Sequence, residues 1–345
     1  TKMKLNQSPD RLIELDNESF LYFGGTSYLG LPTHPEFKEI VVKNILHWGT
    51  AYGSSRNANI QLNAYKNGEY FLAKFIQAAM ALTVSSGTLA GKLVLETLKK
   101  EKQTFFHFPN IHPAIQDQES VPLFIEKELN PVLFNGVVEK ITILADAVPS
   151  LNIHPVDFSV LETIPSNKEI TLVIDESHSL GILGENGEGI YNSIHSSKIK
   201  RKIMLASLGK AFGLTGGVIA SDLDFIEQLK KQNNFISGAG MNAAFVQTLA
   251  DSEVIYIAQH QKLKDNLNYL KTHLLPNSSF DFNPNYPLIY PKNEELTAVL
   301  KEHKIIITHF DYPTGTKSLN RIVITANHTT EDLDSLIAVL NQYQI

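Results

Sequence analysis

Short apolar runs recur through the middle of the chain and alternate with polar segments that are compatible with helices. The runs lie at residues 80–86 (MALTVSS), 104–108 (TFFHF), 121–126 (VPLFIE), 140–145 (KITILA), 169–175 (EITLVID), 203–208 (IMLASL) and 216–221 (GGVIAS). Strands that alternate with helices pack into a mostly parallel sheet with helices on both faces. The pattern therefore predicts an α/β domain.

The two ends of the chain have different patterns. Residues 1–36 predict an N-terminal arm with a small hairpin that turns at Asp16 and Asn17. Apolar residues at helical spacing predict one long helix over 243–273. Beyond it, short strands at 288–291, 304–308 and 321–326 and helices at 293–301 and 331–341 predict a compact α+β domain. We therefore expect an arm (1–36), a large domain (37–258) and a small domain (259–345).

Composition narrows the classes of function. The chain has 345 residues, 43% of them hydrophobic, which is enough for a large core. A net charge of −6 argues against nucleic-acid binding and against binding to anionic membranes. No apolar stretch approaches ~20 residues, so no membrane insertion is expected, and with no recognisable signal peptide a cytoplasmic location is expected. The chain has no cysteine, and its 12 histidines lack metal-ligand spacing, so a metal site is not expected.

Lys210 is a single cation between two short apolar runs, with Gly209 and Gly213 around it. The glycines allow the backbone to turn tightly there. A lysine in a crowded, desolvated pocket has a lowered pKa, which suits an amine that forms an imine. The alternative is a surface lysine in a glycine-rich turn.

Asp175 is the last residue of the predicted buried strand that ends in LVID, and His178 follows three residues later. Open α/β sheets bind ligands at the carboxyl ends of their strands. Asp175 could instead cap the segment that follows it. Its place one strand before Lys210 favours a shared site.

The segments DESHSLGILGENGEG (175–189) and SLGKAFGLTGG (207–217) resemble the α-oxoamine synthases, which are enzymes dependent on pyridoxal 5'-phosphate. The resemblance covers nearly the whole chain. It implies a fold type I transferase, similar to aspartate aminotransferase, with a mostly parallel seven-stranded sheet and a small α+β C-terminal domain. It also implies that Lys210 binds the cofactor as a Schiff base, Asp175 faces the pyridine nitrogen, and His178 bonds the phenolic oxygen. A carboxylate beside that nitrogen keeps it protonated, so that the ring can accept electrons from Cα.

Other cofactor residues follow from the same resemblance. Ser86, Gly87 and Thr88 join a predicted strand to a predicted helix, where free backbone N–H groups suit a phosphate. The resemblance gives the phosphate further partners in Ser207 and Ser237, and it places the ring of His112 on the cofactor and Ser150 beside its oxygen.

Substrate and interface residues are also implied. FGGTSYLGL (23–31) and NRIVITANHTTEDLD (320–334) resemble substrate-side motifs of the family, and they assign Thr26 and Arg321 to the substrate. Arg321 would bind the substrate carboxylate through its planar guanidinium. Enzymes of this kind form active sites at a dimer interface, so a homodimer is expected, with contributions from 49–56 and 235–244.

Four positions depart from the family pattern on the substrate side. Thr26 stands in place of an asparagine, Ile60 in place of a glycine, Tyr65 in place of a histidine, and Glu188 in place of a basic residue. These departures leave open a change of substrate or a catalytically inert protein that binds the cofactor.

The implied reaction condenses an amino acid with an acyl-CoA or acyl-carrier thioester and releases CO2, giving an α-aminoketone. The commonest such product is the biotin precursor 8-amino-7-oxononanoate. A serine or glycine acceptor with another acyl chain is the near alternative, and an aminotransferase on the same fold is the further one. A nucleotide-driven motor is a rival class, because GTLAGK (87–92) is similar to a P-loop. It has too few residues between its glycines, and Leu93 follows its lysine where Ser or Thr is needed.

Overall fold

The computed structural model describes residues 3–311 and 318–343. Its strands, in chain order, are β1 (Leu12–Leu15), β2 (Glu18–Phe23), β3 (Met80–Val84), β4 (Thr104–His107), β5 (Val121–Pro122), β6 (Phe124–Ile125), β7 (Glu128–Leu129), β8 (Glu139–Asp146), β9 (Lys168–Asp175), β10 (Ile199–Ser207), β11 (Gly217–Ser221), β12 (Phe280–Phe282), β13 (Leu288–Pro291), β14 (Ile305–Asp311) and β15 (Ser318–Val323). The α-helices of the described chain are α1 (Pro35–Trp48), α2 (Asn63–Ile76), α3 (Gly87–Leu98), α4 (Leu223–Lys230), α5 (Asn233–Ser237), α6 (Ala243–Asp251), α7 (Glu253–His273), α8 (Glu295–Glu302) and α9 (Thr330–Gln342). The parts of the predicted arm and small domain at residues 1–2, 312–317 and 344–345 lie outside the described residues.

Seven strands form the large sheet, in the order β3-β11-β10-β9-β8-β4-β5. The pairs from β10 through β5 are parallel, whereas β11 is antiparallel to both of its neighbours. The prediction of a mostly parallel sheet is confirmed. All seven apolar runs supply a strand, because each is short enough for a strand and apolar enough to be buried.

The strands are buried on both faces, as their apolar sequences predict. Leu82, Val173 and Leu205 pack on one face with side chains of α3 and α4. On the other face, Met204 and Ala220 pack with α2 and α6. With both faces covered, the carboxyl edge of the parallel strands is the part of the sheet that can be reached by a ligand.

A second sheet contains strands from both terminal segments of the chain, in the order β1-β2-β14-β15-β13-β12. The hairpin turns at Asp16 (φ 52°) and Asn17 (φ 64°), as predicted. The next strand of the hairpin, β2, runs parallel to β14. The arm that the sequence sets apart therefore contributes two strands to the sheet of the C-terminal segment. This pairing satisfies the backbone groups of β2, which a free hairpin would leave exposed.

The single long helix predicted over 243–273 is wrong, because the chain forms two helices there. Ser252 has φ −114° and ψ 14°, and it separates α6 from α7. Asn242 caps α6 by accepting a hydrogen bond from the backbone N–H of Ala244. Apolar spacing continues across the break, so periodicity could not reveal it.

Within residues 3–311 and 318–343, no helix is both long enough and apolar enough to cross a membrane.

Candidate active site

Acidic side chains meet at the carboxyl ends of β8 and β9. Asp146 and Asp175 are partners in the parallel register of these strands and end them side by side. Both are buried, with exposed fractions of 3% and 7%. Oδ1 of Asp175 accepts a hydrogen bond from the backbone N–H of Ser177 at 2.8 Å, which fixes the carboxylate at the end of β9.

Lys210 lies in the turn that follows β10 and reaches back to the residues after β9. Its Nζ is 2.9 Å from Nε2 of His178. The other ring nitrogen of His178, Nδ1, is 2.8 Å from the hydroxyl of Tyr28. The structure thus links a lysine, a histidine and a buried tyrosine in one hydrogen-bonded chain.

The surroundings of Lys210 lower the pKa of its amine to about 8. Burial is the largest cause, since it disfavours the ammonium form. Asp175 opposes the shift, and the positive charge of Arg321 adds to it. Burial also lowers the pKa of His178 well below its usual value, with Lys210 as the next cause. Near neutral pH the histidine is therefore neutral, and the lysine is close to its own titration.

His112 is held in place by contacts at its backbone and its ring. Its backbone N–H donates to Oδ1 of Asp146 at 3.0 Å, and its Nδ1 accepts from the N–H of Ala114 at 3.1 Å. Burial lowers the pKa of His112, and it raises the pKa of Asp146 well above the usual value, with Asp175 as the second cause. The ring of His112 thus has one orientation and one neutral tautomer, with its proton on Nε2.

The first turn of α3 lies against the end of β10. Ser86 caps the helix by accepting from the N–H of Leu89 at 3.1 Å. A Cβ on Gly87 would lie 3.0 Å from Cβ of Ser207, and one on Gly217 would lie 2.4 Å from the carbonyl oxygen of Ser86. The glycines allow this close approach. The first backbone N–H groups of a helix lack partners within the helix and can bind an anion.

Arg321 is a buried cation on β15, with an exposed fraction of 6%. Its Nη2 lies 3.5 Å from the carbonyl oxygen of Gly25, and its Nε has no hydrogen-bond partner among the described residues. A buried guanidinium without an anion is costly. This arrangement is suited to an incoming carboxylate.

Three further predicted residues have weaker connections to this centre. Thr26 follows Gly25, whose carbonyl faces Arg321, and is half-buried. The carbonyl of Ser150 accepts a hydrogen bond from the hydroxyl of Tyr290. Ser237 is exposed, and its hydroxyl donates to the carbonyl of Asn233 in its own helix. Within the described chain, no hydrogen bond connects Ser237 to the turn at residues 86–88.

Two of the departures from the family pattern, Tyr65 and Glu188, have local contacts, and a third, Ile60, is exposed. Tyr65 is buried, donates to the carbonyl of Met241 at 2.9 Å, and stacks on the guanidinium of Arg56. Glu188 accepts from two backbone N–H groups in its own turn. Ile60 is 64% exposed. None of these three contacts involves Lys210 or Arg321.

Sequence reasoning assigned no role to four buried polar residues at or near the site. Tyr28 and Tyr286 both contact His178, the second through the backbone carbonyl at 2.8 Å. Asp146 holds His112. Glu176 is fully buried and accepts from the N–H groups of Ile190 and Tyr191, while burial raises its pKa to about 7. The signal available for Glu176 and Asp146 was their position at or beside the end of a strand, whereas nothing in the sequence separated the two tyrosines from core residues.

Comparison with known proteins places the chain in a family. The model of the family "Aminotransferase class I and II" matches residues 158–340. Curated relatives include an 8-amino-7-oxononanoate synthase from Petrotoga mobilis, 26% identical over 93% of this chain and 88% of its own length. Another, from Dechloromonas aromatica, is 27% identical over 96% of this chain and 92% of its own length.

Solved structures share the fold. A serine palmitoyltransferase from S. paucimobilis superposes with a TM-score of 0.81 at 17% identity, covering 99% of this chain and 92% of its own. An 8-amino-7-oxononanoate synthase from Francisella tularensis superposes with a TM-score of 0.69 at 24% identity, covering 94% and 97%. These likenesses agree with the fold class expected from the sequence. The chain belongs to the aminotransferase class I and II family.

Proposed function

We propose that this protein is an α-oxoamine synthase that uses pyridoxal 5'-phosphate. In the proposed reaction an amino acid and an acyl thioester give an α-aminoketone, CO2 and a thiol. Among such enzymes, 8-amino-7-oxononanoate synthase is the activity we favour, because curated relatives over nearly the full chain bear that name. The observation that carries the proposal is Lys210, a partly buried amine beside His178 and near the buried carboxylate of Asp175.

The residues present suit this cofactor. An amine with a pKa of about 8 can react with an aldehyde near neutral pH. Ser86, Gly87 and Thr88 at the start of α3, together with Ser207 beside them, would hold the phosphate. Asp175 would pair with the protonated ring nitrogen, His178 would donate to the phenolic oxygen, and His112 would lie on the ring.

The cofactor, when bound, would supply an electron sink for the pair left at Cα when a bond breaks there. The amine of Lys210, once displaced by the substrate amine, would accept the Cα proton. Arg321 would orient the substrate through its carboxylate, since its Nε and Nη groups form a planar fork. Thr26 would lie on the substrate side, next to the carbonyl that Arg321 contacts.

Two further assignments complete the proposal. Ser150 would lie beside the cofactor oxygen, and Ser237 would reach the phosphate of a partner subunit in a homodimer. The segments proposed to serve the partner pack together here. Ser55 donates to the carbonyl of Ile236 at 2.9 Å, and Arg56 lies over the ring of Phe235 at 5.4 Å. They therefore form one continuous surface.

The test is thioester-dependent release of CO2 by the purified protein supplied with pyridoxal phosphate. A panel of amino acids, each labelled at the carboxyl carbon, is combined with a panel of acyl-CoAs, and Lys210→Ala is the control. We expect release from one amino acid only when an acyl donor is present, and at least a thousandfold less with the variant. Formation of a ketoacid without any thioester would instead identify an aminotransferase on this fold. Failure of all combinations in a protein that binds the cofactor would identify an inert binder.

A further inference from the structure

The imidazole of His178 is held from both sides by groups that can donate or accept a proton. The hydroxyl of Tyr28 lies 2.8 Å from Nδ1, and Nζ of Lys210 lies 2.9 Å from Nε2. Tyr28 is completely buried, and its hydroxyl has no other hydrogen-bond partner within the described part of the chain. Because each ring nitrogen either donates or accepts, the proton positions in the three side chains are linked.

Two arrangements of protons are compatible with these distances. If Lys210 is an ammonium, it donates to Nε2, Nδ1 must then donate to the oxygen of Tyr28, and the buried O–H of Tyr28 has no acceptor. If Lys210 is a neutral amine, Tyr28 donates to Nδ1 and Nε2–H donates to Nζ, so both contacts are satisfied. A buried donor without an acceptor is unfavourable, whereas the second arrangement satisfies all three side chains, and it forms once Lys210 has lost its proton, above its pKa of about 8.

We propose that Tyr28 is a positioning residue, whose hydroxyl donates to Nδ1 of His178 and thereby fixes the tautomer that carries its proton on Nε2, facing Lys210. The tautomer is a property of the chain itself. Its use in catalysis rests on the proposed function, because an N–H on Nε2 is the donor that His178 would offer to the phenolic oxygen of the cofactor.

Other charged and titratable groups surround this chain of contacts without selecting a tautomer. Asp175 and Asp146 favour the ammonium form of Lys210, whereas Arg321 disfavours it. Arg321, His112 and Lys210 all disfavour a charged His178. These groups set the net charge of the site. Lys210 contacts Nε2, and the hydroxyl of Tyr28 contacts Nδ1, so Tyr28 is the group that selects the tautomer once Lys210 is a neutral amine.

The first test is the ¹⁵N NMR spectrum of histidine side chains in the full chain without cofactor, with His178 assigned by the signals missing in His178→Gln. Tyr28→Phe removes only the hydroxyl that contacts the ring. Tyr286→Phe is the matched control, because it removes a buried hydroxyl that bonds the backbone carbonyl of His178 instead. At about pH 9, where Lys210 is mostly a neutral amine, we expect a bare Nδ1 and a protonated Nε2 in the wild type and the control, and a mixture of tautomers in Tyr28→Phe. An unchanged Nδ1 signal in Tyr28→Phe would overturn the proposal.

A second readout is the pKa of Lys210, measured as the pH dependence of its reductive methylation by formaldehyde and followed by peptide mass spectrometry. Loss of the hydroxyl removes the preference for the neutral amine, so Tyr28→Phe should raise the midpoint by about one unit. Tyr286→Phe should leave it in place, and equal midpoints in all three proteins would contradict the proposed role. Neither measurement uses pyridoxal phosphate, so both outcomes are independent of whether the proposed function is correct.

Discussion

At the scale of single residues, the site depends on charges that are kept from water. Lys210 is partly buried and has a pKa of about 8, compared with 10.5 for an unperturbed lysine. Since its pKa is lowered on folding, the unfolded chain binds more protons at this position between pH 8 and 10.5. The buried ammonium therefore lowers the free energy of unfolding below pH 8, and this destabilisation disappears as the pH rises towards 10.5.

Lys210→Met should consequently stabilise the cofactor-free protein at neutral pH. We expect a gain on the order of 2 kcal/mol in the free energy of unfolding at pH 7, allowing for partial exposure. The gain should shrink as the pH rises through 8 and be nearly absent at 10.5. Urea unfolding across this range measures it, with Lys127→Met at an exposed position as the control. A gain that is equal at pH 7 and pH 10 would show that desolvation of the ammonium is not its cause.

At the scale of elements, the turn at residues 86–88, which we propose binds the phosphate, depends on close packing between α3 and two strands. A Cβ on Gly217 would lie only 2.4 Å from the carbonyl oxygen of Ser86. A Cβ on Gly87 would lie 3.0 Å from Cβ of Ser207 on β10. Because the atoms nearest to Gly217 are backbone atoms of Ser86 and Gly87, a larger residue at 217 would displace the N–H groups at the start of α3.

Gly217→Ala should therefore damage both stability and cofactor binding. We expect a loss of about 1–3 kcal/mol in the free energy of unfolding, typical of overpacking, and at least tenfold weaker binding of pyridoxal phosphate. Thermal unfolding and a fluorescence titration measure the two effects. Gly53→Ala is the control for stability, because a Cβ there would meet no atom within 4 Å. Normal binding by a destabilised Gly217→Ala protein would show that the turn does not hold the phosphate.

At the scale of the whole molecule, the chain combines a large sheet with a second sheet made from both of its ends. Large apolar side chains remain exposed in the single chain, among them Leu46 on α1, Tyr70 on α2 and Val254 on α7, with exposed fractions of 83%, 73% and 81%. The segments 49–56 and 235–244 are by comparison rich in small residues, with four glycines between them. The proposed homodimer would use the surface that they form to complete each site.

Dilution tests the homodimer. Activity per chain should fall as the protein is diluted through its dissociation constant, and sedimentation velocity should show the dimer converting to monomer over the same range. A monomer with full activity would rule out a shared site. The reaction used for this test is the one identified by the CO2 assay.

Much of the fold was available from the sequence. The seven strands of the large sheet, the α3 helix and the turn at Asp16 and Asn17 follow from local patterns, because burial on both faces and tight turns impose local composition. Local sequence patterns did not reveal the helix break at Ser252, because apolar periodicity continues through it. They also did not reveal that β2 of the arm pairs with β14, which lies almost three hundred residues later in the chain.

The sequence by itself determined which residue types could do chemistry: Lys210 and Asp175 were candidates because a lone lysine among glycines and an acid at a strand end are local features, and the resemblance of segments 175–189 and 207–217 to the α-oxoamine synthases added His178. Only the tertiary structure decided how they act. It places the Tyr28 hydroxyl on Nδ1 of His178, sets Asp146 beside Asp175, and removes Arg321 from water. Desolvation and hydrogen-bond geometry depend on atoms that are distant in sequence, so no local pattern encodes them.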